Sequence, residues 1–424
     1  MIKLFKKFTT IYINPVVILL IVNLANIANF FFQVIASRNL TYFEFSLFFT
    51  TISIINILLG PFASIQLFIQ QNLIKIKNKI KSILFIKFTL KVFFIFQIIF
   101  LFIFLIFLEK IKQNFGYHET LYYTYFFFYF ILSMTMIIPG GILYSERKYK
   151  TTHFIILLID IIRVLFLFLF ISYFKDKLLF MIILNILYSI LCILIMFKKS
   201  GFNFKISILN IFFVNYFTSY LKKKIRIFFK FFFYSACLPI ITQADIIFVK
   251  FLFSDHVSSS YIVTSTIAKT IYIIPAVLHS YVFNEFYFKN KFRIILNYFF
   301  IFILSFAVLI ILLFVIKPFI IYFYGTGYLI TLSAFKYIVL SFLLISFTNF
   351  VINFFLVKKD FNFLYIFYIT IIFYCVLNFF NNSSYIDISL NLLVSAFIMF
   401  LSLCFYYYYK YISFEFSKLL NFFR

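Results

Sequence analysis

Apolar runs of membrane-spanning length follow one another along almost the whole of this 424-residue chain. A hydrocarbon core about 30 Å thick takes about 20 apolar residues to cross as a helix. The runs lie near 13–36, 43–69, 84–108, 120–144, 152–174, 178–197, 228–253, 259–284, 294–317, 329–357, 361–380 and 388–409. With 65% hydrophobic residues and a mean hydropathy of +1.10, an ordinary soluble domain is excluded. The expected fold class is all-α: a polytopic membrane protein of about twelve transmembrane helices. The run after Met1–Lys7 continues for spanning length with no small-residue cleavage pattern, so the first span is expected to serve as its own insertion signal.

Basic residues orient the spans, because loops rich in Lys and Arg stay on the cytoplasmic side. Lys3, Lys6 and Lys7, then Lys75 to Lys91, Arg147 to Lys150, Lys198 to Lys230, Lys289 to Arg293, Lys358 and Lys359, and Lys410 to Arg424 all fall on one face. That face holds 28 of the 38 basic residues. The other face has only Arg38, Lys110, Lys112, Lys175, Lys177, Lys250 and Lys317. Both termini are therefore expected in the cytoplasm, and an even number of spans is required. Topology and anionic headgroups account for the net charge of +26, so no nucleic-acid partner is implied. Tyr406 to Tyr409 sit where an interfacial aromatic belt is expected in a chain without Trp. Cys192, Cys237, Cys375 and Cys404 lie inside apolar runs with no CxxC and no His nearby, so neither a disulfide framework nor a metal site is expected, and no cofactor motif is visible.

Ionisable residues inside such runs are costly, and they mark functional sites by default. In the stretch from Phe231 to Phe286, two apolar helices joined by a polar turn carry Asp245 and Lys269. At roughly 1.5 Å per residue both lie about 12 to 15 Å inside one face, where they either neutralise each other or serve transport. Asp160 and Arg163 are three apart on one helix face and form a second potential pair. Arg38 and Lys336 lie near the membrane edge, within snorkelling reach of water. Asn23 and Asn26 share a face and suit either a neighbouring helix or a polar ligand. His279 lies toward the cytoplasmic end of its span, where a proton-coupling role is conceivable.

The longest hydrophilic connection divides the chain into 1–199, a linker over 200–227, and 228–409, with a cytoplasmic tail at 410–424. The two halves share markers: a Ser/Thr-striped span ending in Pro61 matches one ending in Pro275, and Gly116-Tyr117 matches Gly327-Tyr328 at nearly the same offset. Two six-helix lobes related as a repeat are expected, an arrangement that places transporter sites where the halves meet.

Three segments resemble the polysaccharide-exporter branch of the multidrug/oligosaccharidyl-lipid/polysaccharide exporter superfamily, which includes bacterial O-antigen flippases. Ala36-Ser37-Arg38-Asn39-Leu40-Thr41-Tyr42-Phe43-Glu44-Phe45-Ser46 resembles that family's first turn, with Thr41-Tyr42 in place of Gly-Pro and Ser46 in place of Gly. Gln243-Ala244-Asp245, followed by Ser260-Tyr261 and Pro275, is similar to its seventh and eighth spans, without the usual turn Gly. Lys317-Pro318 through Gly325-Thr326-Gly327-Tyr328 is similar to the start of its tenth.

The resemblance implies flipping of an undecaprenyl-pyrophosphate-linked oligosaccharide, such as an O-antigen repeat unit, from the cytoplasmic to the periplasmic leaflet of a bacterial inner membrane. It also makes membrane lipids, a polysaccharide polymerase and the chain-length machinery candidate partners. A diphosphate needs cations, for which Lys269, Arg163, Lys336 and Arg38 are the candidates. A sugar needs hydroxyls and amides, available from Asn23, Asn26, Thr50, Thr51, Asn56, Gln243, Thr264, Ser265 and Thr266. Asp245 and Asp160 are then ion-pair partners or coupling sites. A drug or cation antiporter of the same superfamily is the main alternative, although a site for cationic drugs should hold more acids than cations. A membrane polymerase or glycosyltransferase would need a carboxylate or metal constellation on a sizeable outer loop, and no such loop is visible. The expected protein is therefore not an enzyme, and since no Gly-x-x-x-x-Gly-Lys phosphate loop occurs, its energy is expected from a gradient, the membrane potential or product consumption.

Overall fold

A computed structural model describes residues 2–76, 79–115, 120–201, 218–287, 291–357 and 360–412. Within them the chain is helical throughout. Twelve long helices follow in order: α1 Ile2–Asn39, α2 Tyr42–Lys75, α3 Lys79–Phe115, α4 Thr120–Ser145, α5 Tyr149–Phe170, α6 Lys177–Lys199, α7 Thr218–Leu252, α8 Asp255–Tyr287, α9 Lys291–Phe323, α10 Phe335–Val357, α11 Phe363–Phe380 and α12 Tyr385–Tyr407. Among the described residues, eleven segments are long and apolar enough to cross a membrane by length and composition. The protein is a polytopic all-α membrane protein, as the hydropathy pattern predicts.

Several boundaries differ from those read in the apolar runs, for physical reasons. Helices α1 and α7 begin well ahead of the expected 13 and 228, because helical backbone continues into polar sequence beyond the hydrocarbon. Helix α10 starts at Phe335 rather than 329. Gly325 takes φ +101°, a left-handed conformation natural to glycine, and short 3₁₀ turns at Thr326–Leu329 and Leu332–Ala334 follow it. Gly327-Tyr328 therefore lies in a turn before the helix. Its counterpart Gly116-Tyr117 lies outside the described residues, as do most of the 200–227 linker and the tail beyond residue 412.

The resembling turn at 36–46 is a helix start. Thr41 caps α2 with a reciprocal box: its backbone N–H donates to Glu44 Oε2 at 2.9 Å, and the Glu44 N–H donates to Thr41 Oγ1 at 3.3 Å. Two of the orphan donors at the helix end are thereby satisfied. Ser384 and Asp387 build the same device at the start of α12.

Contacts divide the chain into two compact units, Met1–Pro239 and Ile240–Arg424, with the division inside α7. In the first, α2 packs on α4, α4 on α6 and α1 on α5. The α2–α4 approach is close because Gly141 has no side chain: a Cβ there would meet Ile69 Cβ at 3.0 Å and the Gln66 carbonyl at 3.2 Å. Small residues serve this purpose in membrane helices generally. Helix α3 is held largely by rings, with Phe62 of α2 lying 5.8 to 5.9 Å from Phe93, Phe96 and Phe100, and Phe104 stacked on Phe127 of α4 at 4.4 Å. The rest of α3 exposes Phe94, Ile98, Phe102 and Ile106, the apolar exterior of a helix facing lipid. In the second unit, α10 is central, packed between α8 and α12, with α11 against α12 and α9 against α8.

Candidate functional site

The polar centre of the second unit is Asp245 on α7. Its carboxylate is fully buried, and one face of α8 supplies its partners. Tyr261, Ser265 and Lys269 recur at intervals of four, which stacks them on one side of a helix. Ser265 Oγ donates to Asp245 Oδ2 at 2.7 Å, Lys269 Nζ lies 3.4 Å from Oδ1, and the buried Tyr261 hydroxyl lies near the same carboxylate. Helical side chains lean toward the N-terminus of their own helix. Lys269, two turns further along α8 than Tyr261, can therefore reach back to the carboxylate. Its ammonium also sits 5.3 Å from the Phe342 ring centroid of α10, within cation–π range. The lysine side chain keeps 15% of its surface exposed, whereas that of Asp245 keeps none.

Next to this centre is a hydroxyl clasp. Ser260 Oγ donates to the Tyr328 carbonyl at 2.6 Å and lies 3.0 Å from Thr331 Oγ1, which is 2.9 Å from Thr264 Oγ1. The Thr331 N–H returns a bond to Ser260 at 3.2 Å. Two of the three resembling segments thus meet, the α8 start being fastened to the turn that precedes α10. At the α7–α8 turn, Lys250 pairs with Asp255.

The first unit has its own charged centre. Arg163 and Asp160 of α5 are 2.9 Å apart. Arg163 also donates to Asn185 Oδ1 of α6 at 2.7 Å and to Asn29 Oδ1 of α1. Its guanidinium carbon lies 4.5 Å from the Phe32 ring centroid and 4.7 Å from that of Tyr188. Three helices therefore converge on one buried arginine, whose planar, multi-donor group suits such a position.

The remaining candidates disperse. Arg38 is exposed in the last turn of α1. Lys336 is exposed in the first turn of α10, with its ammonium 4.8 Å from the Tyr337 ring centroid. Asn23, Asn26, Gln243 and Thr266 are half-buried, and Asn56 is exposed. Thr51 returns its hydroxyl to the Leu47 carbonyl at 2.7 Å, while the buried Thr50 hydroxyl has no hydrogen-bond partner. The His279 side chain lies outside the described residues. Sequence reading overlooked Asn29, Asn185, Tyr188, Tyr261 beside the carboxylate, and Phe342. A signal for Asn29 existed: Asn23, Asn26 and Asn29 continue one spacing of three.

No protein-family profile matches the chain, and no curated protein matches it in sequence. Solved structures do match in fold. One is described as the lipid II flippase MurJ in an inward closed conformation: TM-score 0.68, 18% identity, covering 92% of this chain and 87% of that one. Another is a MATE protein in complex with MaL6: TM-score 0.62, 14% identity, covering 92% and 94%. Over nearly its whole length, this chain has the fold shared by a lipid II flippase and a MATE protein.

Proposed function

We propose that this chain is a membrane transporter of the multidrug/oligosaccharidyl-lipid/polysaccharide exporter superfamily that flips a polyprenyl-pyrophosphate-linked oligosaccharide between leaflets. The observation that carries the reading is the fold likeness to a lipid II flippase over 92% of the chain. The three motif segments add the polysaccharide-exporter branch, with an O-antigen-like repeat unit as cargo. In this reading Lys269, the deep cation that retains exposure, attracts the diphosphate. Of the hydroxyls and amides, Thr266 and Gln243 of the second unit are the groups offered to the sugar, and the lipid tail stays in the bilayer. Arg38 and Lys336 lie on the diphosphate's route at its periplasmic end, both termini are cytoplasmic, and the membrane is the bacterial inner membrane. The protein performs no covalent chemistry. A polysaccharide polymerase and its chain-length machinery act on the delivered product.

The decisive experiment deletes the gene in its own host and locates the lipid-linked saccharide with a probe confined to the periplasmic face. Accumulation of the intact repeat unit on the cytoplasmic leaflet, with loss of surface polysaccharide, is the expected result. A second reading, a cation or drug antiporter, is favoured by the likeness to a MATE protein. It predicts normal surface polysaccharide with altered sensitivity to cationic compounds, and would make Asp245 the residue to study.

A further inference from the structure

We infer that Lys269 is an exchangeable cation: Asp245 holds its ammonium in the resting protein and yields it to an anionic diphosphate headgroup, remaining itself bound by Ser265. This rests on the flippase reading for the source of the diphosphate. The geometry of the pair supplies the argument. A charge-assisted N–H···O bond is ordinarily about 2.7 to 2.9 Å long; the Lys269–Asp245 contact is 3.4 Å, longer than the 2.7 Å bond from Ser265 to the same carboxylate. The carboxylate thus has a closer partner than the lysine. Lys269 is the exposed member of the pair at 15%, against none for Asp245. Its other contact is the face of Phe342, which attracts a cation without occupying its N–H groups.

Exchange leaves Asp245 compensated. Coulomb attraction falls only as the inverse of distance, so a shift of the ammonium by about 2 Å costs roughly a third of it, while the Ser265 bond remains. Arg163 offers the contrast. Its guanidinium is ion-paired with Asp160, hydrogen-bonded to Asn29 and Asn185 and flanked by two rings, so it is a fixed charge. Asp245 is accordingly a positioning residue, a monoanion that keeps the ammonium in place and competes with the arriving headgroup.

The test uses the purified full chain, with radiolabelled inorganic pyrophosphate and farnesyl diphosphate as probes. Asp245→Asn keeps the shape of the side chain and removes the competing charge. The expected result is probe binding tightened by about fivefold or more, with slower export in cells because the headgroup is released late. Lys269→Met should abolish binding in both the wild-type and Asp245→Asn backgrounds. Unchanged probe affinity in Asp245→Asn, or a lowered Tm alone, overturns the exchange and leaves a structural pair. Unchanged binding in Lys269→Met overturns it as well. The two readings separate cleanly: probe binding that follows this pattern in a chain whose deletion leaves the lipid-linked saccharide correctly placed sinks the flippase assignment and keeps the exchange.

Discussion

Lys269 Nζ lies 3.4 Å from Asp245 Oδ1, an ammonium on α8 reaching back toward the start of its helix to meet a fully buried carboxylate on α7. The pair joins two helices across a tight hairpin. It is also the only salt bridge, among the described residues, that combines a carboxylate with no exposure and a cation with some.

Lys269→Ala leaves the buried Asp245 with its bond from Ser265 but no counter-charge, at a cost of about 3–5 kcal/mol. Its expected loss of at least about tenfold in export of the lipid-linked saccharide is therefore read beside Lys269→Ala/Asp245→Asn, which removes both charges and should insert at normal yield with the same loss. Lys269→Arg, which keeps the charge, should retain part of the export. Membrane yield and a leaflet-specific saccharide assay check both. Full export by the alanine variant would remove this residue from the mechanism.

Arg163→Met should fail differently. Removing one partner of a buried pair leaves an uncompensated charge, at a cost of about 3–5 kcal/mol, and here the two asparagines and two rings lose their common centre. A Tm fall of several degrees in detergent is expected. Pairing it with Asp160→Asn should recover much of the loss, since neither charge then remains. A single variant as stable as the wild type would show that the guanidinium does not organise the first unit.

Ser260→Ala should loosen the turn before α10. The change strands the Thr331 N–H and takes a donor from the Tyr328 carbonyl, and each buried group left unsatisfied costs about 1–3 kcal/mol. Hydrogen exchange over residues 325–335 should accelerate, with little change elsewhere. Unaltered protection there would mean that the clasp does not secure this turn.

Gly141→Ala tests the α2–α4 contact. The added methyl would press against Ile69, whose branched side chain has little freedom, and against the Gln66 carbonyl. Overpacking of this kind costs about 1–3 kcal/mol, readable as a lowered Tm; an unchanged or raised Tm would show that the helices can part without penalty.

The proposed orientation predicts that a reporter fused after Arg424 is fluorescent if it folds only in the cytoplasm and inactive if it is a periplasmic phosphatase. The reverse outcome would invert the assignment of the lysine-rich loops.

The sequence by itself determined the class and the plan of this protein. Lipid has no water to satisfy a backbone group, so every long apolar run had to be a helix, and their number and order could be read from hydropathy. It also singled out Asp245, Lys269, Asp160 and Arg163, because charge inside such a run is too costly to be incidental. Tertiary structure decided what each charge does. Whether Lys269 met Asp245 depended on the α7–α8 hairpin and on the lean of helical side chains, which place a residue two turns along within reach. Arg163 is enclosed by Asn29, Phe32, Asn185 and Tyr188, whereas Lys269 has one long contact with a carboxylate and one with an aromatic face. Those neighbours come from helices distant in sequence, and no local pattern announces them. The turn before α10 was missed for a similar reason: apolar residues continue through 329–334, and only the left-handed Gly325 and the bonds from Ser260 keep that stretch out of the helix.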